Sequence, residues 1–264
     1  MKEKNWILYV ILQKQMTPGL FAMFKLDHHN KVITILNSLR SDFLNQISAF
    51  FGGGTLLTLL YGEYRRSKDI DFLCPVGDGY RMLRSEIYDK NYKAIFKNFS
   101  DISLPREIKA DQYGIRFVVK VEDIPIKFEI VAEARISFQK AEYHEWSDVP
   151  CLSFADSFSE KLLSNSDRWA DRSVESKDLI DLSMLRLRSE IPETSVRKAE
   201  SAYPVMKPLE KSVRIFQSEP DYRTNCFSSL QIQNRAEIID GLDLLASDFG
   251  ISSTKRKDDE YPDF

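Results

Sequence analysis

Phe51-Gly52-Gly53-Gly54-Thr55-Leu56-Leu57-Thr58-Leu59-Leu60-Tyr61-Gly62-Glu63-Tyr64-Arg65-Arg66-Ser67-Lys68-Asp69-Ile70-Asp71-Phe72 is the stretch around which the whole chain is read. Three glycines and a threonine open a short helical pattern over Thr55–Tyr61, and Gly62 suits its end. Asp69–Cys74 then alternates up to Pro75 and reads as a strand. Side chains two apart on a strand share a face, so Asp69 and Asp71 point one way while Ile70 and Phe72 point into the core. A solvated edge explains two such carboxylates as readily as a metal site does. Their surroundings favour the site: a glycine turn precedes them, Arg65 and Arg66 adjoin them, and Glu129 stands on an apolar strand further on. Carboxylates gathered together are costly unless a cation lies among them. Mg²⁺ suits the place, since it takes one or two carboxylates plus substrate phosphates.

The glycine turn is not a P-loop, because no Gly-Lys-Ser/Thr follows, and it is not a G-x-G-x-x-G fingerprint. Alone it is a tight strand-to-helix turn. Backbone amides at a helix start nonetheless receive phosphate well, so turn and carboxylates together are more specific than either apart.

Bulk composition sets wide limits. At 264 residues, 43% hydrophobic and 29% charged, the chain suits one large soluble domain or two modest ones. A net charge of −3 argues against a globally basic nucleic-acid binder and leaves room for a local basic groove. Cys74, Cys151 and Cys226 are odd in number and unpaired in spacing, which fits a reducing compartment and supports neither a zinc site nor a disulfide framework. Trp6–Leu12 reads as an amphipathic or buried element rather than a signal peptide, since Glu3 and Gln13-Lys14-Gln15 flank it and no small-residue cleavage site follows. No apolar run approaches the ~20 residues of a membrane span. A cytoplasmic protein is expected.

Residues 30–46 read as one helix, with Val32, Ile35, Leu36, Leu39, Phe43 and Leu44 at helical spacing. Ile47–Phe51 reads as a buried strand and residues 81–98 as a helix. Tyr113–Val121 and Ile126–Val131 read as a strand pair around a turn at Glu122-Asp123-Ile124-Pro125, with Ile126, Phe128 and Ile130 on one face and Glu129 on the other. Near Pro150 the pattern turns helical. Ser153 and Asp156 form a capping box ahead of the stripe Phe154, Phe158, Leu162. Lys177–Leu187 follows, with Leu179, Leu182 and Leu185 inward and Asp178 with Asp181 on another face. Helices are also expected over 194–218, interrupted between Pro204 and Pro208, and over Gln231–Phe249, which Gly250 stops. The charged tail 252–264 is expected to be disordered. The fold class expected is α/β (α+β), with residues 1–150 as a core and residues 151–264 as a helical domain.

Gly53-Gly54-Thr55 followed by Arg65-Arg66-Ser67-Lys68-Asp69-Ile70-Asp71 resembles the motif of the DNA polymerase β-type nucleotidyltransferases. Within that superfamily the chain is most similar to the AbiEii/AbiGii-type toxins of type IV toxin–antitoxin systems. Their pattern is Gly-Gly-Thr/Ser and then Arg-x-Ser/Thr-x-Asp-Ile-Asp. Ile126-Lys127-Phe128-Glu129-Ile130 resembles the strand carrying that family's third acidic residue. Glu160-Lys161-Leu162 and Lys177-Asp178-Leu179-Ile180-Asp181-Leu182 resemble its later lysine and Lys/Arg-Asp-x-x-Asp-Leu motifs. The resemblance runs over roughly residues 45–187.

It implies a nucleotidyltransferase-type mixed β-sheet flanked by helices, with a C-terminal helical domain. It also implies Mg²⁺-dependent transfer of a nucleoside monophosphate from an NTP to an acceptor, with pyrophosphate released. Asp69 and Asp71 would hold the ions of a two-metal site and Glu129 would be the third carboxylate. Gly53, Gly54, Thr55, Arg65 or Arg66, Ser67 and Lys161 would meet the triphosphate. The acceptor would be RNA (a tRNA 3′ end) or a protein, and the partner a cognate antitoxin. Asp178 and Asp181 share a helix face, and one of them is a base or either pairs with Arg168 or Arg172. His28, His29 and His144 carry no assigned role. A small-molecule (aminoglycoside-like) nucleotidyltransferase is the first rival: a basic groove of Arg168, Arg172, Lys177, Arg186 and Arg188 would favour RNA, and a closed acidic pocket a cationic drug. A non-catalytic nucleotide-binding module is the second, and the joint presence of Asp69, Asp71, Glu129 and Lys161 speaks against it.

Overall fold

The computed structural model describes residues 23–262, so the Trp6–Leu12 element expected from the sequence lies outside the described residues. The strands are β1 (Phe50–Gly52), β2 (Ile70–Pro75), β3 (Lys109–Ala110), β4 (Gly114–Val121), β5 (Ile124–Glu133), β6 (Glu142–His144) and β7 (Ser147–Cys151). They form one mixed sheet in the order β3-β4-β5-β2-β1-β7-β6. β2 runs parallel to β5 and β1 to β7, and the remaining pairs are antiparallel. β4 and β5 are joined by a two-residue turn, Glu122-Asp123, both at positive φ (48° and 66°). Such a turn matches the twist of a hairpin. Ile124 and Pro125, expected in the turn, therefore belong to β5.

Alternation decides which face is dry. Ile115, Phe117, Val119 and Val121 of β4 and Ile126, Phe128 and Ile130 of β5 are all buried. Phe128 stacks on Phe117 at 4.7 Å and on Phe72 at 5.5 Å between ring centroids. Helices α1 (Asp27–Asn37) and α2 (Ser41–Gln46) lie against β7. Past α3 (Gly53–Leu60), α4 (Asp78–Lys90) packs on β2, and these helices share the apolar cluster of the sheet. The single helix expected over 30–46 is broken between α1 and α2, because Leu39 bridges Phe96 and Arg40 N–H donates to the Ile95 carbonyl at 2.8 Å.

The second half is helical: α5 (Phe154–Arg168), α6 (Lys177–Arg186), α7 (Glu193–Glu200), α8 (Met206–Ser218), α9 (Pro220–Ser229) and α10 (Arg235–Asp248). The Ser153 hydroxyl accepts from Asp156 N–H and caps α5. These helices have their own apolar cluster, centred on Phe158, Leu162, Leu179, Val213, Phe216 and Leu242. Helix α10 lies so close to α6 that a Cβ on Gly241 would sit 2.2 Å from the Ser183 carbonyl oxygen. Helix α3 belongs to both clusters, giving Leu56 and Leu59 to the first and Leu57 to the second. The α3–β2 loop therefore emerges where the two clusters meet.

Two expectations change in this half. The helix expected over Gln231–Phe249 starts only at Arg235, where the Asn234 side chain accepts from Glu237 N–H, and the residues just before it close α9. Over its described residues, 252–262, the tail is ordered: Thr254 and Glu260 are buried, and residues 258–260 form a 3₁₀ turn.

The aromatic stack on β5 gives the first prediction. Phe128→Ala should cost about 3–5 kcal/mol, read as a lower urea midpoint at unchanged slope. A loss under about 0.5 kcal/mol, within the range of ordinary surface changes, would show that the stack does not hold the sheet.

Candidate active site

A cleft of about 430 Å³ opens between the sheet and the helical half. The start of α3 (Gly53, Gly54), the loop Arg65–Asp69, Asp71, and Lys127 with Glu129 form its sheet side. Glu160, Lys161, Ser164 and Arg168 of α5, with Glu175, Lys177, Ser229 and Leu230, form the other. A depression of about 530 Å³ between α4 and Ile108–Ala110 is larger, but its lining holds no carboxylate. Carboxylates and cations singled out in the sequence line the first.

The sheet register assembles the acidic side. Gly52 pairs with Asp71, Asp71 with Glu129, Glu129 with Arg116, and Arg116 with Lys109. Paired residues of neighbouring strands face the same way, so one row crosses the sheet from the glycine turn to the β3 edge. The glycines make room for the chain's own side chains. A Cβ on Gly53 (φ +69°) would lie 3.0 Å from Asp71 Oδ2, and one on Gly54 would lie 1.9 Å from Arg65 Nη2. Burial, then the Asp69 charge, pushes the Asp71 carboxyl up to about 6. Thr55 turns away from the cleft: it is buried, donates to the Asp69 carbonyl at 2.6 Å and shares a 2.7 Å hydrogen bond with the Ser67 hydroxyl. It sets the entry to β2.

Glu129 sits beside Asp71, yet both its oxygens are occupied. Arg116 Nε donates to Oε1 and Lys127 Nζ to Oε2, each at 2.6 Å. Although burial opposes ionisation, these two cations hold the Glu129 carboxyl below its ordinary range. Among the described residues no group of three His, Cys, Asp or Glu side chains is placed to hold a metal ion. The donor set that remains, Asp69 and Asp71 facing open cleft, fits a cation that completes its shell with phosphate oxygens. Lys127 was missed in the sequence, although it lies two residues before Glu129 and so shares its face.

The cationic motifs are joined in a buried network. Arg65 grips Asp181 through Nε at 2.6 Å and Nη2 at 2.8 Å. Lys161 lies 2.6 Å from Asp181 and 3.0 Å from Asp178, and Arg168 holds the other Asp178 oxygen at 2.6 Å. Tyr64 donates to Asp181 at 2.6 Å. Against the pull of burial, Arg65 and Lys161 keep the Asp181 carboxyl well below the ordinary range. The face of α6 carrying Asp178 and Asp181 is therefore buried like its leucine face (3% and 0% exposed), and both acids pair with cations. Both arginines line the cleft, but Arg65 is locked on Asp181 while Arg66 stands outside that network. The five-member basic groove does not form. Arg168 and Lys177 reach the cleft, while Arg172, Arg186 and Arg188 pair with Glu219, Asp248 and Glu237.

The family model for "Nucleotidyl transferase AbiEii toxin, Type IV TA system" matches residues 34–224. No curated protein sequence matches the chain. Among solved structures, JHP933 from Helicobacter pylori is similar at 16% identity and TM-score 0.49, over 86% of this chain and 95% of that one. An antigenic nucleotidyltransferase-like protein from Paracoccidioides brasiliensis is similar at 15% identity and TM-score 0.44, over 78% of this chain and 94% of that one.

One pair of carboxyls, of which Glu160 lines the cleft, had no signal in the sequence. Glu133 ends β5 and Glu160 sits on α5, with Arg135 2.6 Å from the first and 3.3 Å from the second. Burial, then the Glu133 charge, pushes the Glu160 carboxyl up to about 8. Glu133 lies below its ordinary range, because Arg135 outweighs its burial. Between its ordinary value of 4.5 and about 8, Glu160 is protonated in the folded chain and ionised in the unfolded one. The native state then binds more protons, so this contribution to stability falls as pH rises. The depressed Glu133 contributes fully throughout that window. Glu160→Gln should accordingly gain Tm relative to wild type steadily from about pH 5 to about pH 8. A constant offset would show that Glu160 is ionised in the folded protein.

Proposed function

We infer the reaction from one premise: the chain belongs to the AbiEii nucleotidyl transferase toxin family of type IV toxin–antitoxin systems. It is a nucleotidyltransferase that uses an NTP, and its family implies an antitoxin partner. Among the described residues no helix is long and apolar enough to cross a membrane.

We propose that it transfers a nucleoside monophosphate to a hydroxyl of an RNA acceptor with the help of Mg²⁺. The acceptor oxygen forms a bond to the α-phosphorus, the bond from that phosphorus to the β-phosphate oxygen breaks, and pyrophosphate and one proton leave. Asp69 and Asp71 would hold the metal, which when bound supplies Lewis-acid stabilisation of the phosphate charge. The amides of Gly53 and Gly54, with Arg66, would hold the triphosphate against them. Glu129 would steer Lys127 and Arg116 rather than ligate the metal itself. Lys161 would face the phosphates from a place fixed by Asp178 and Asp181, and Thr55 with Ser67 would hold the loop. Positioning and charge stabilisation are most of what this chemistry asks of a protein.

The observation that carries the reading is the sheet row in which Asp71 stands opposite the cationic wall of the cleft. The acceptor class is supported by the rest of that face. Arg116, Lys120 and Lys127 of the β4–β5 hairpin and Lys109 at the sheet edge are at least partly exposed, and they lead away from the carboxylates. Such a surface suits a phosphodiester strand better than a cationic drug.

The test incubates the protein with Mg²⁺ and each labelled NTP, with total tRNA, an aminoglycoside panel, a protein extract or no acceptor. Label should pass to tRNA, and Asp71→Asn should lower transfer by about 100- to 1000-fold, the scale of losing one transition-state stabiliser. Lys109→Glu with Lys120→Glu should raise KM for RNA and flatten its salt dependence while leaving KM for NTP unchanged. Label on the drugs or on protein would overturn the acceptor. No transfer at all, with no Mg²⁺-dependent NTP binding, would overturn the reaction.

A further inference from the structure

Beyond the residues that the family model matches, the chain continues through the second half of α9, through α10, and into a tail that folds back. Gly250 (φ +65°) reverses the chain after α10. Thr254 then donates through its amide (2.7 Å) and hydroxyl (2.6 Å) to Asp243, Arg256 reaches Asp240 at 2.6 Å, and Lys257 reaches Asp221 at 3.0 Å. At the end of this strap Glu260, 1% exposed, meets Arg223 of α9, 0% exposed. The pair is bidentate, Nε to Oε1 at 2.7 Å and Nη2 to Oε2 at 2.8 Å. The other three guanidinium N–H groups go to the carbonyls of Phe216 (2.9 Å), Gln217 (3.2 Å) and Lys255 (3.2 Å). All five donors are met with no solvent contact. A buried ion pair adds little net stability over an apolar pair, but it tolerates few geometries.

The other end of α9 is at the cleft. Arg223 and Leu230 are about 10 Å apart along the helix. Ser229 and Leu230 line the cleft, and Ser229 bonds Glu175, which lines it too. The Leu230 carbonyl accepts the Arg66 backbone N–H at 2.8 Å. Helix α9 therefore connects a buried ion pair formed by the tail to the peptide of the cationic residue proposed above to meet triphosphate.

We propose that Glu260 and Arg223 are positioning residues for nucleotide binding: the C-terminal strap sets the seat of α9, and α9 sets Arg66 and the wall beside it. This rests on the reading of the cleft as the NTP site. The contact is remote from the reacting atoms, so it governs binding and not the transfer step.

The experiment compares Glu260→Gln with wild type in the full chain, using Mg²⁺-NTP binding, steady-state kinetics and hydrogen exchange without ligand. Glu260→Gln should weaken NTP binding by about tenfold with kcat within about twofold, the pattern of a loosened positioning contact. Exchange should rise in segments 61–69 and 226–232 and stay unchanged in 154–168. Asp258→Asn, at an exposed position of the strap, should leave binding unaltered. If Glu260→Gln does not fold, Glu260→Asp, which keeps the charge on a shorter stem, is read the same way. Unchanged NTP binding, or exchange raised evenly over the whole helical half, would overturn the proposal. Should wild type bind no NTP, the reading of the cleft falls, and the exchange of segment 61–69 alone decides whether the strap holds Arg66.

Discussion

Asp181 is the residue on which the arrangement of the cleft depends. It is fully buried, and Arg65, Lys161 and Tyr64 converge on it from the α3–β2 loop and from α5. An aspartate so placed would be untenable without these partners, and deleting one partner from such a group costs about 3–5 kcal/mol. The bond set therefore joins the sheet half to the helical half at the point where the cleft opens. Gly54 is part of the same constraint, because the Arg65 guanidinium occupies the space that any larger residue would need. A glycine run that reads as a phosphate loop is thus also the seat of an internal ion pair.

Charge is distributed around that constraint in a way that leaves specific groups available. Within the network Arg65, Lys161 and Arg168 face Asp178 and Asp181, so one positive charge is in excess and it borders the cleft. Across the cleft the balance reverses at Asp69 and Asp71, while Glu129 is neutralised by Lys127 and Arg116. Burial of Asp71 beside Asp69 disfavours its ionised form, which is the electrostatic condition a bound cation relieves. Lys177 adds to the cationic wall, and burial, followed by the nearby Arg168, makes its ammonium easier to deprotonate. The cleft is therefore polarised across its width before any ligand enters.

Much of this was legible in the residues and part of it could not be. Period-two alternation placed Ile70, Phe72, Phe128 and Ile130 in the core and Asp71 and Glu129 on the opposite face, because a strand's geometry permits no other arrangement. The Ser153 cap was readable because it is local. What failed was non-local. The break at Ser38–Arg40 depends on Phe96, far along the chain, and the ordering of the charged tail depends on Arg223 offering a buried partner to Glu260. Helical periodicity assigned Asp178 and Asp181 to a polar face, but burial of that face was decided by Arg65, more than a hundred residues away. The Glu133–Glu160 pair is of the same kind, two acids from separate elements brought together by Arg135.

The same non-local contacts separate the duties of two adjacent arginines that composition cannot tell apart. Arg65 faces inward, and its remaining Nη1 donates to the Arg66 carbonyl at 3.0 Å. The Arg66 amide is held from the other side by Leu230 of α9. Both ends of the Arg66 residue are thus pinned, one through α6 and Asp181 and the other through α9, while its side chain stays at the cleft. A cation on a fixed backbone loses less freedom on meeting an anion than one on a mobile loop. Arg65 cannot exchange roles with it without leaving Asp181 uncompensated. The doubled arginine is accordingly one residue held by Asp181 and one that borders the cleft outside that ion pair, and the helical half, through α6 and α9, is what makes them different.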